Sequence, residues 1–215
     1  MRTARRRTLL QALAVAATAL PALELAVRVA ANALGAEPVE TLTHTTGAWA
    51  LRLLLASLAV SPLRRLLGWT WLAPLRRTLG LAAFAWATAH LGVFLVFELG
   101  LDLSTLAEEV AEHPYVTAGF AAWLLLVPLA ATSTRGWQRR LGRRWVALHR
   151  LVYVAVACAI LHFLWLVKAD LREPLVYAAL AAAVLAPRLV RGISRRRDTR
   201  GTAGAARVPG VAKRD

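Results

Sequence analysis

The chain has 215 residues, of which 58% are hydrophobic and only 18% charged, and its formal net charge is +15. A soluble domain of this size needs a larger charged surface, so the composition excludes an ordinary globular enzyme and indicates a membrane protein. The cations lie in short patches beside apolar runs, with no aromatic-rich binding module between them. We therefore predict contact with the anionic lipid of a bilayer and no nucleic-acid partner.

Six apolar runs follow one another along the chain, and each approaches the roughly 20 residues that a helix needs to cross a bilayer. They predict membrane spans at 9–28, 47–62, 79–97, 115–131, 147–167 and 174–190. The predicted fold class is an all-α integral membrane protein, in which a bundle of six transmembrane helices occupies 9–190. Residues 1–8 are predicted to be a cytoplasmic N-terminus, and 191–215 a basic, disordered cytoplasmic tail.

The cations are concentrated on one side of these spans. Four segments hold 22 of the 27 Lys and Arg residues: 1–8, 63–78, 133–146 and the tail from residue 187. The connections on the opposite side are predicted at 34–46, 98–114 and 168–173. They hold only two cations, Lys168 and Arg172, together with nine of the twelve acidic residues. The positive-inside rule therefore predicts that both termini are cytoplasmic.

The N-terminal sequence has a basic end followed by an apolar run, as a signal peptide does. The run continues to Val29, and no convincing cleavage signal precedes Pro21. Cleavage would also leave an odd number of spans, in conflict with the charge pattern. We therefore predict an uncleaved first span.

Three of the five histidines fall inside predicted spans, namely His90, His149 and His162. An ionisable side chain in hydrocarbon is costly, so each indicates either a functional site or a hydrogen bond that packs two helices together. The other two, His44 and His113, fall in predicted outer loops, where a solvated histidine needs no special role.

His90 and His162 are predicted to lie at the same depth. His90 precedes Glu98 by eight residues and His162 precedes Lys168 by six, so at 1.5 Å per residue the two imidazoles come within about 3 Å of one level. Small residues accompany both on their helices: Ala83, Ala87, Ala155, Cys158 and Ala159. Two imidazoles at one level can serve as the axial ligands of a haem iron, whereas structural zinc would need four ligands. We predict that His90 and His162 bind haem iron.

His149 lies about 20 Å closer to the cytoplasm than His162. On an ideal helix the two side chains are about 140° apart. A second haem beneath the first would need a partner near Arg76 or Arg77, which are not ordinary axial ligands. Three interpretations stay open for His149: ligation of a second haem, part of a flavin or quinone site at the inner face, or a simple interfacial position.

Two groups of outer charges are further candidates. Arg52, early in the second span, could neutralise a haem propionate or extend its cation to the interface. An acidic patch in the 98–114 connection could dock a partner, although outer loops are acidic wherever cations are excluded. Its members are Asp102, Glu108, Glu109 and Glu112.

Several stretches together resemble one family. They are LGAEPVETLTHTTGAWALRLLL, SPLRRLLGW, LRRTLGLAAFAWATAHL, HPYVTAG, TSTRGWQRRLGRRWVALHRLVY and LHFLWLVK. From residue 34 to residue 187 the chain is similar to MsrQ proteins, also called YedZ. These are haem-binding membrane subunits of bacterial methionine sulfoxide reductase systems, within the ferric-reductase-like transmembrane superfamily.

The resemblance implies a b-type cytochrome of the bacterial inner membrane. It implies one or two haems linked to His90, His149 and His162, and an association with FMN. Electrons would come from the quinone pool or a cytoplasmic flavin reductase and pass to MsrP, a periplasmic molybdenum-cofactor reductase that repairs oxidised methionine. The chain itself would be a non-catalytic electron-transfer subunit. It departs from the superfamily's four-histidine pattern, because its third span has only one histidine.

Two rival functions would also account for histidines inside the spans. A ferric-reductase-like protein with another acceptor would share the haem site, but self-sufficient members add a flavin and nicotinamide domain that the short tail does not contain. A small proton-coupled transporter could instead use intramembrane histidines as a proton relay. Bound haem distinguishes the transporter from the other two.

Overall fold

The computed structural model describes residues 2–167 and 170–186, and all regular elements in this part of the chain are helices. They are α1 (Arg2–Ala30), α2 (Pro38–Leu67), α3 (Leu75–Val93), α4 (Leu103–Glu112), α5 (Pro114–Ala131), α6 (Arg135–Leu141), α7 (Arg143–Leu148) and α8 (Leu151–Leu166), followed by α9 (172–186). A short 3₁₀ helix (Thr70–Leu72) precedes α3, and a π-helical segment (Phe94–Glu98) continues it.

Five segments are long and apolar enough to cross a membrane: Thr8–Ala30, Pro38–Leu67, Thr70–Glu98, Pro114–Ala131 and Arg143–Leu166. They coincide with the first five predicted spans, and the helical class is confirmed. The sixth predicted span, 174–190, falls on α9, whose described part ends at residue 186. Six spans and cytoplasmic termini therefore stay predictions, and the predicted tail, 191–215, lies outside the described residues.

The second helix is longer than its apolar run. It begins at Pro38, where the fixed φ of proline suits the first helical position, and it ends at Gly68, whose φ of +70° is left-handed. The run alone predicts 47–62, because hydropathy marks the lipid-crossing part and not the caps. As a result, the segment expected as an outer loop at 34–46 is largely helical, and it includes His44.

Four helices form the centre of the bundle. Helix α3 contacts α2 and α5, and α8 contacts α5 and α2, so the four close into a ring in which α3 and α8 are diagonal. Helix α1 packs on α3 from outside. The apolar core between the four includes Leu54, Leu58, Trp86, Leu126 and Val156. Diagonal helices of such a ring can present side chains to one another across its interior.

The predicted outer connection at 98–114 contains the short helix α4. Asp102 caps it, because one carboxylate oxygen accepts from the Ser104 backbone N–H at 2.9 Å and from the Ser104 hydroxyl at 2.6 Å. The other oxygen accepts from the Thr105 hydroxyl at 3.0 Å. These hydrogen bonds, those from Ser104 first, hold the pKa of Asp102 below its ordinary value. The acidic residues of the outer patch therefore sit on an ordered helix.

This cap makes the stability of α4 depend on pH. Because the pKa of Asp102 is lower in the folded chain than in the unfolded one, its stabilisation is present at neutral pH and is lost as the pH falls below about 4. We expect amide protection over 103–112 to fall between about pH 5 and pH 3, as measured by hydrogen exchange corrected for intrinsic rates. Asp102→Ser keeps a neutral cap, so its protection should not change over this range.

The fifth predicted span is not one continuous helix. Helix α7 ends at His149 and α8 begins after Arg150. The ideal-helix angle between His149 and His162 therefore does not apply, because the break resets the helical phase. A turn at the predicted cytoplasmic end of the span therefore separates His149 from α8, which carries His162.

Candidate functional site

The structure brings the imidazoles of His90 and His162 together across the four-helix ring. His90 comes from α3 and His162 from the diagonal helix α8. Their ring centroids are 6.0 Å apart and their planes are inclined by 79°. Both rings are largely enclosed by the surrounding helices, and neither belongs to the apolar core.

His90 is fixed by the outer part of α2. Its Nδ1 lies 3.0 Å from the backbone carbonyl of Thr43 and 3.3 Å from the hydroxyl of Thr46. The Thr46 hydroxyl has its own carbonyl acceptor at Leu42, at 2.7 Å. A carbonyl can only accept, so Nδ1 carries the proton. The Nε2 lone pair of His90 is thereby left for another ligand.

His162 is fixed in the same way by α5. Its Nδ1 donates to the backbone carbonyl of Tyr115 at 2.7 Å. Again the proton is assigned to Nδ1 and the lone pair to Nε2. A ligating histidine in a metal site almost always donates its other N–H to a carbonyl or carboxylate. Both histidines therefore have the arrangement expected of metal ligands.

Glycines let the two rings approach these backbones. A Cβ at Gly47 would lie 3.0 Å from Cε1 of His90, and one at Gly119 would lie 2.7 Å from Nδ1 of His162. Gly47 follows Thr43 by four residues, and Gly119 follows Tyr115 by four residues. Residues four apart share a helix face, so the missing side chain opens the path to the carbonyl one turn earlier. The same construction occurs on α2 and on α5.

The histidine pair fits a haem iron. Metal–imidazole bonds are about 2.0–2.1 Å long and a ring centroid lies about 1 Å beyond its nitrogen, so imidazoles on opposite sides of one iron would have centroids roughly 6 Å apart. Among the described residues, no group of three His, Cys, Asp or Glu side chains is placed to hold a metal ion. Two protein ligands suit a metal whose other ligands come from a porphyrin.

A buried hydroxyl close to His90 also lacks a protein partner. Thr43 Oγ1 is inaccessible to solvent and makes no hydrogen bond within the described part of the chain. Buried polar atoms are almost always satisfied, so such an atom indicates a missing partner. A polar substituent of a bound cofactor would satisfy it.

His149 is arranged differently from the other two. Its Nε2 lies 3.1 Å from the Thr132 hydroxyl, which is itself 2.6 Å from the carbonyl of Pro128. The hydroxyl proton goes to that carbonyl, so His149 Nε2 is the donor and cannot bind a metal while this bond is intact. Its ring stacks on Trp145 at 3.9 Å. The structure does not bring His149 to the other two histidines.

The remaining candidates lie around the predicted outer end. Arg52 donates through Nε to the hydroxyl of Tyr177 on α9 at 2.8 Å. Neither His44 nor His113 is merely solvated. His44 is 3.4 Å from Glu173, and His113 is 3.1 Å from Glu109, although not aligned for a hydrogen bond.

Hydropathy analysis missed the residues that hold the histidines. Gly47 and Gly119 are single glycines in apolar helices, and the accepting groups at Thr43 and Tyr115 are backbone carbonyls. One signal was present, since each glycine follows its partner carbonyl by four residues at the same end of a span. That spacing has meaning only once the helix facing each histidine is known.

Comparison with known proteins finds a family model and close relatives. Residues 46–160 match the family model described as ferric reductase like transmembrane component. A protein-methionine-sulfoxide reductase heme-binding subunit MsrQ from Xanthomonas axonopodis pv. citri is 48% identical over 168 residues, which is 78% of this chain and 77% of that protein. The MsrQ of Rhodospirillum rubrum is 45% identical over 182 residues, covering 84% of this chain and 88% of that protein.

No solved structure matches the chain significantly. The family match spans residues that contribute to all four helices of the central ring. The matched regions cover most of this chain and most of each relative. The chain therefore belongs to the MsrQ family, within the ferric-reductase-like transmembrane proteins.

Proposed function

We propose that this chain is a b-type haem-binding electron-transfer subunit of a methionine sulfoxide reductase system in the bacterial inner membrane, with both termini cytoplasmic. The observation that carries the proposal is the facing pair His90 and His162, each with Nδ1 bound to a carbonyl. When bound, a haem supplies one-electron chemistry whose potential is set by its axial ligands and surroundings. The names of the relatives, which describe heme-binding subunits, support the same cofactor.

The chain's own residues hold and orient the ligands. The carbonyls of Thr43 and Tyr115 fix the tautomer and the rotation of the two rings, and Gly47 and Gly119 provide the space for them. Core residues such as Leu58 and Val156 lie on the predicted cytoplasmic side of the pair and separate this site from water at that face. In this proposal the protein holds a redox group in place and does not transform a substrate itself.

The acceptor in this proposal is the periplasmic reductase MsrP, which would form a heterodimer with this chain. Tyr115 and His113 support an outward route, because the His113 and Tyr115 rings are 5.7 Å apart and the Tyr115 and His162 rings 6.3 Å apart. His113 follows α4, which carries the acidic patch. The acidic patch therefore lies next to the outer end of this series of three rings, which starts at His162 and passes through Tyr115 to His113.

The donor in this proposal is the quinone pool or a cytoplasmic flavin reductase. His149 lies at the face where a cytoplasmic donor would bind. Its stacked partner Trp145 could flank an aromatic ring such as that of FMN, and Arg76 is the charged neighbour of His149. Because His149 Nε2 is hydrogen-bonded to the Thr132 hydroxyl, we assign His149 to the donor-binding face and not to a second haem. The proposal therefore has one haem, at the His90–His162 pair.

Absorption spectroscopy tests the proposal. The purified full-length chain should be red and show a sharp band on reduction with dithionite. His149→Ala should retain the band of the haem at the His90–His162 pair. The reason is that His149 is hydrogen-bonded to Thr132 and lies away from that site. The haem-to-protein ratio measures this. A correctly folded but colourless protein would contradict the function and favour the proton-coupled transporter.

A further inference from the structure

The hydroxyl of Thr43 is buried without a hydrogen-bond partner in the described part of the chain. One other buried side-chain atom there shares this property, Nδ1 of His113, but a carboxylate oxygen of Glu109 lies 3.1 Å from it. Buried polar atoms are almost always satisfied. The Thr43 hydroxyl is therefore a donor whose acceptor has to come from a ligand.

Other threonines of the helices satisfy their hydroxyls locally. The following threonines each donate to the carbonyl four residues earlier, at distances from 2.6 to 3.0 Å: Thr41, Thr46, Thr88 and Thr132. This bond is the usual arrangement for a threonine in a helix. Thr43 does not make it, although the carbonyl of Val39 lies four residues earlier in the same helix. Its hydroxyl is left available.

Thr43 lies on the side of α2 that faces the histidine pair. Its own carbonyl is 3.0 Å from Nδ1 of His90. Thr46 and Gly47 follow it by three and four residues and so share its face. Thr46 Oγ1 is 3.3 Å from the same Nδ1, and a Cβ at Gly47 would lie 3.0 Å from Cε1 of the ring. The unpaired hydroxyl is therefore close to the position at which His90 would hold a haem iron.

A haem held between α3 and α8 would have one edge toward α2 and another toward α5. The two helices that carry the histidines are diagonal in the four-helix ring, so α2 and α5 form the other diagonal. A porphyrin plane is perpendicular to the line between its two axial ligands, so it extends toward these other two helices. Haem b has two propionates on one edge, and its other substituents are methyl and vinyl groups. The propionates are thus the hydrogen-bonding groups of its periphery.

The α2 side of this site is polar, whereas the α5 side is apolar. On α2 the hydroxyls of Thr43 and Thr46 lie beside His90. The α5 side chains in the corresponding turns are buried and apolar: Val116, Ala118 and Ala122. A carboxylate against such side chains would lose its hydration without compensation. Beside the Thr43 hydroxyl it would gain a charge-assisted hydrogen bond.

Arg52, the sequence-based candidate for a propionate, is placed differently. It follows Thr43 by nine residues, which is about 180° around α2. Its Nε donates to the Tyr177 hydroxyl on α9 at 2.8 Å, and another of its nitrogens is 3.9 Å from Glu173. The guanidinium is therefore directed to α9 and away from the face of α2 that holds His90.

We propose that the Thr43 hydroxyl donates a hydrogen bond to a propionate of the haem, so that the carboxylate edge of the cofactor faces α2. The inference rests on the proposed function, since it needs the haem at the histidine pair. Thr43 then has two tasks. Its carbonyl fixes the imidazole of His90, and its hydroxyl fixes the rotation of the porphyrin about the axis through the iron.

Titration with two porphyrins tests this hydrogen bond. The full-length chain and its variants are prepared without cofactor in detergent and titrated with haem b and with iron octaethylporphyrin, which carries ethyl groups and no carboxylates. Thr43→Val should weaken binding of haem b by about tenfold or more, since a hydrogen bond to a charged group is lost. It should leave binding of iron octaethylporphyrin unchanged, which also shows that the site of the variant is folded.

Two further variants are controls for the titration. Thr43→Ser keeps the hydroxyl and should bind haem b as the unsubstituted chain does. Thr45→Val makes the same change two residues later, about 200° around α2, and should bind both porphyrins normally.

Three results would overturn the proposal alone. In the first, Thr43→Val binds haem b as tightly as Thr45→Val. In the second, Thr43→Val weakens both porphyrins equally, so that the valine acts through His90 or through packing. In the third, Thr43→Ser binds haem b as weakly as Thr43→Val. An unsubstituted chain that binds neither porphyrin is a different result, because it overturns the proposed function and this inference with it.

Discussion

Replacing His90 or His162 with alanine is expected to abolish most of the reduced haem band. Each variant removes one of two facing imidazoles, so a bound haem would keep only one of its two protein ligands. Haem-to-protein ratio and the dithionite difference spectrum measure the loss. Added imidazole should restore part of the band in His162→Ala, because it can enter the space left by the side chain.

The control for this loss is His113→Ala. His113 lies outside the pair, so its removal should leave the haem content unchanged. Circular dichroism should show the same helix content in all three variants, because neither imidazole belongs to the apolar core. If His90→Ala and His162→Ala both keep the full band, then the two side chains only pack helices together and the ligand pair is wrong.

A single methyl group at Gly119 is expected to impair cofactor binding. The added Cβ would lie 2.7 Å from His162 Nδ1, a separation at which the ring must move away from the Tyr115 carbonyl. Loss of such supporting bonds typically costs 10–100-fold in metal affinity, so Gly119→Ala should lower haem affinity by about tenfold or more. Haem titration of the purified variants measures this.

The glycines of the bundle provide a graded control. At Gly47 the added Cβ would lie 3.0 Å from His90, so Gly47→Ala should have a smaller effect, and at Gly92 it would meet nothing within 4 Å. Alanine favours helix over glycine by about 1 kcal/mol. Gly92→Ala should therefore be neutral or stabilising. If Gly119→Ala binds haem as tightly as Gly92→Ala, the proposed positioning by glycine is incorrect.

The helices could be predicted because their signals are local. Hydropathy located the first five spans, and the fixed rise of a helix placed His90 and His162 near one level. The ends were less accurate, because α2 extends to Pro38 and Gly68 through residues that are not apolar. The break at His149 was missed as well, since the apolar run continues through it without a proline or glycine.

The sequence by itself determined the membrane class and the helical fold and predicted one level for the paired histidines, because hydropathy and helical rise are properties of a continuous segment. Only the tertiary structure decided which helices are neighbours. It set α3 diagonal to α8, brought Gly47 and Gly119 against the imidazoles, and joined Arg52 to Tyr177 across 125 residues of chain. These contacts depend on the rotation of each helix about its axis, which is fixed by packing against other helices and is not encoded in any one span.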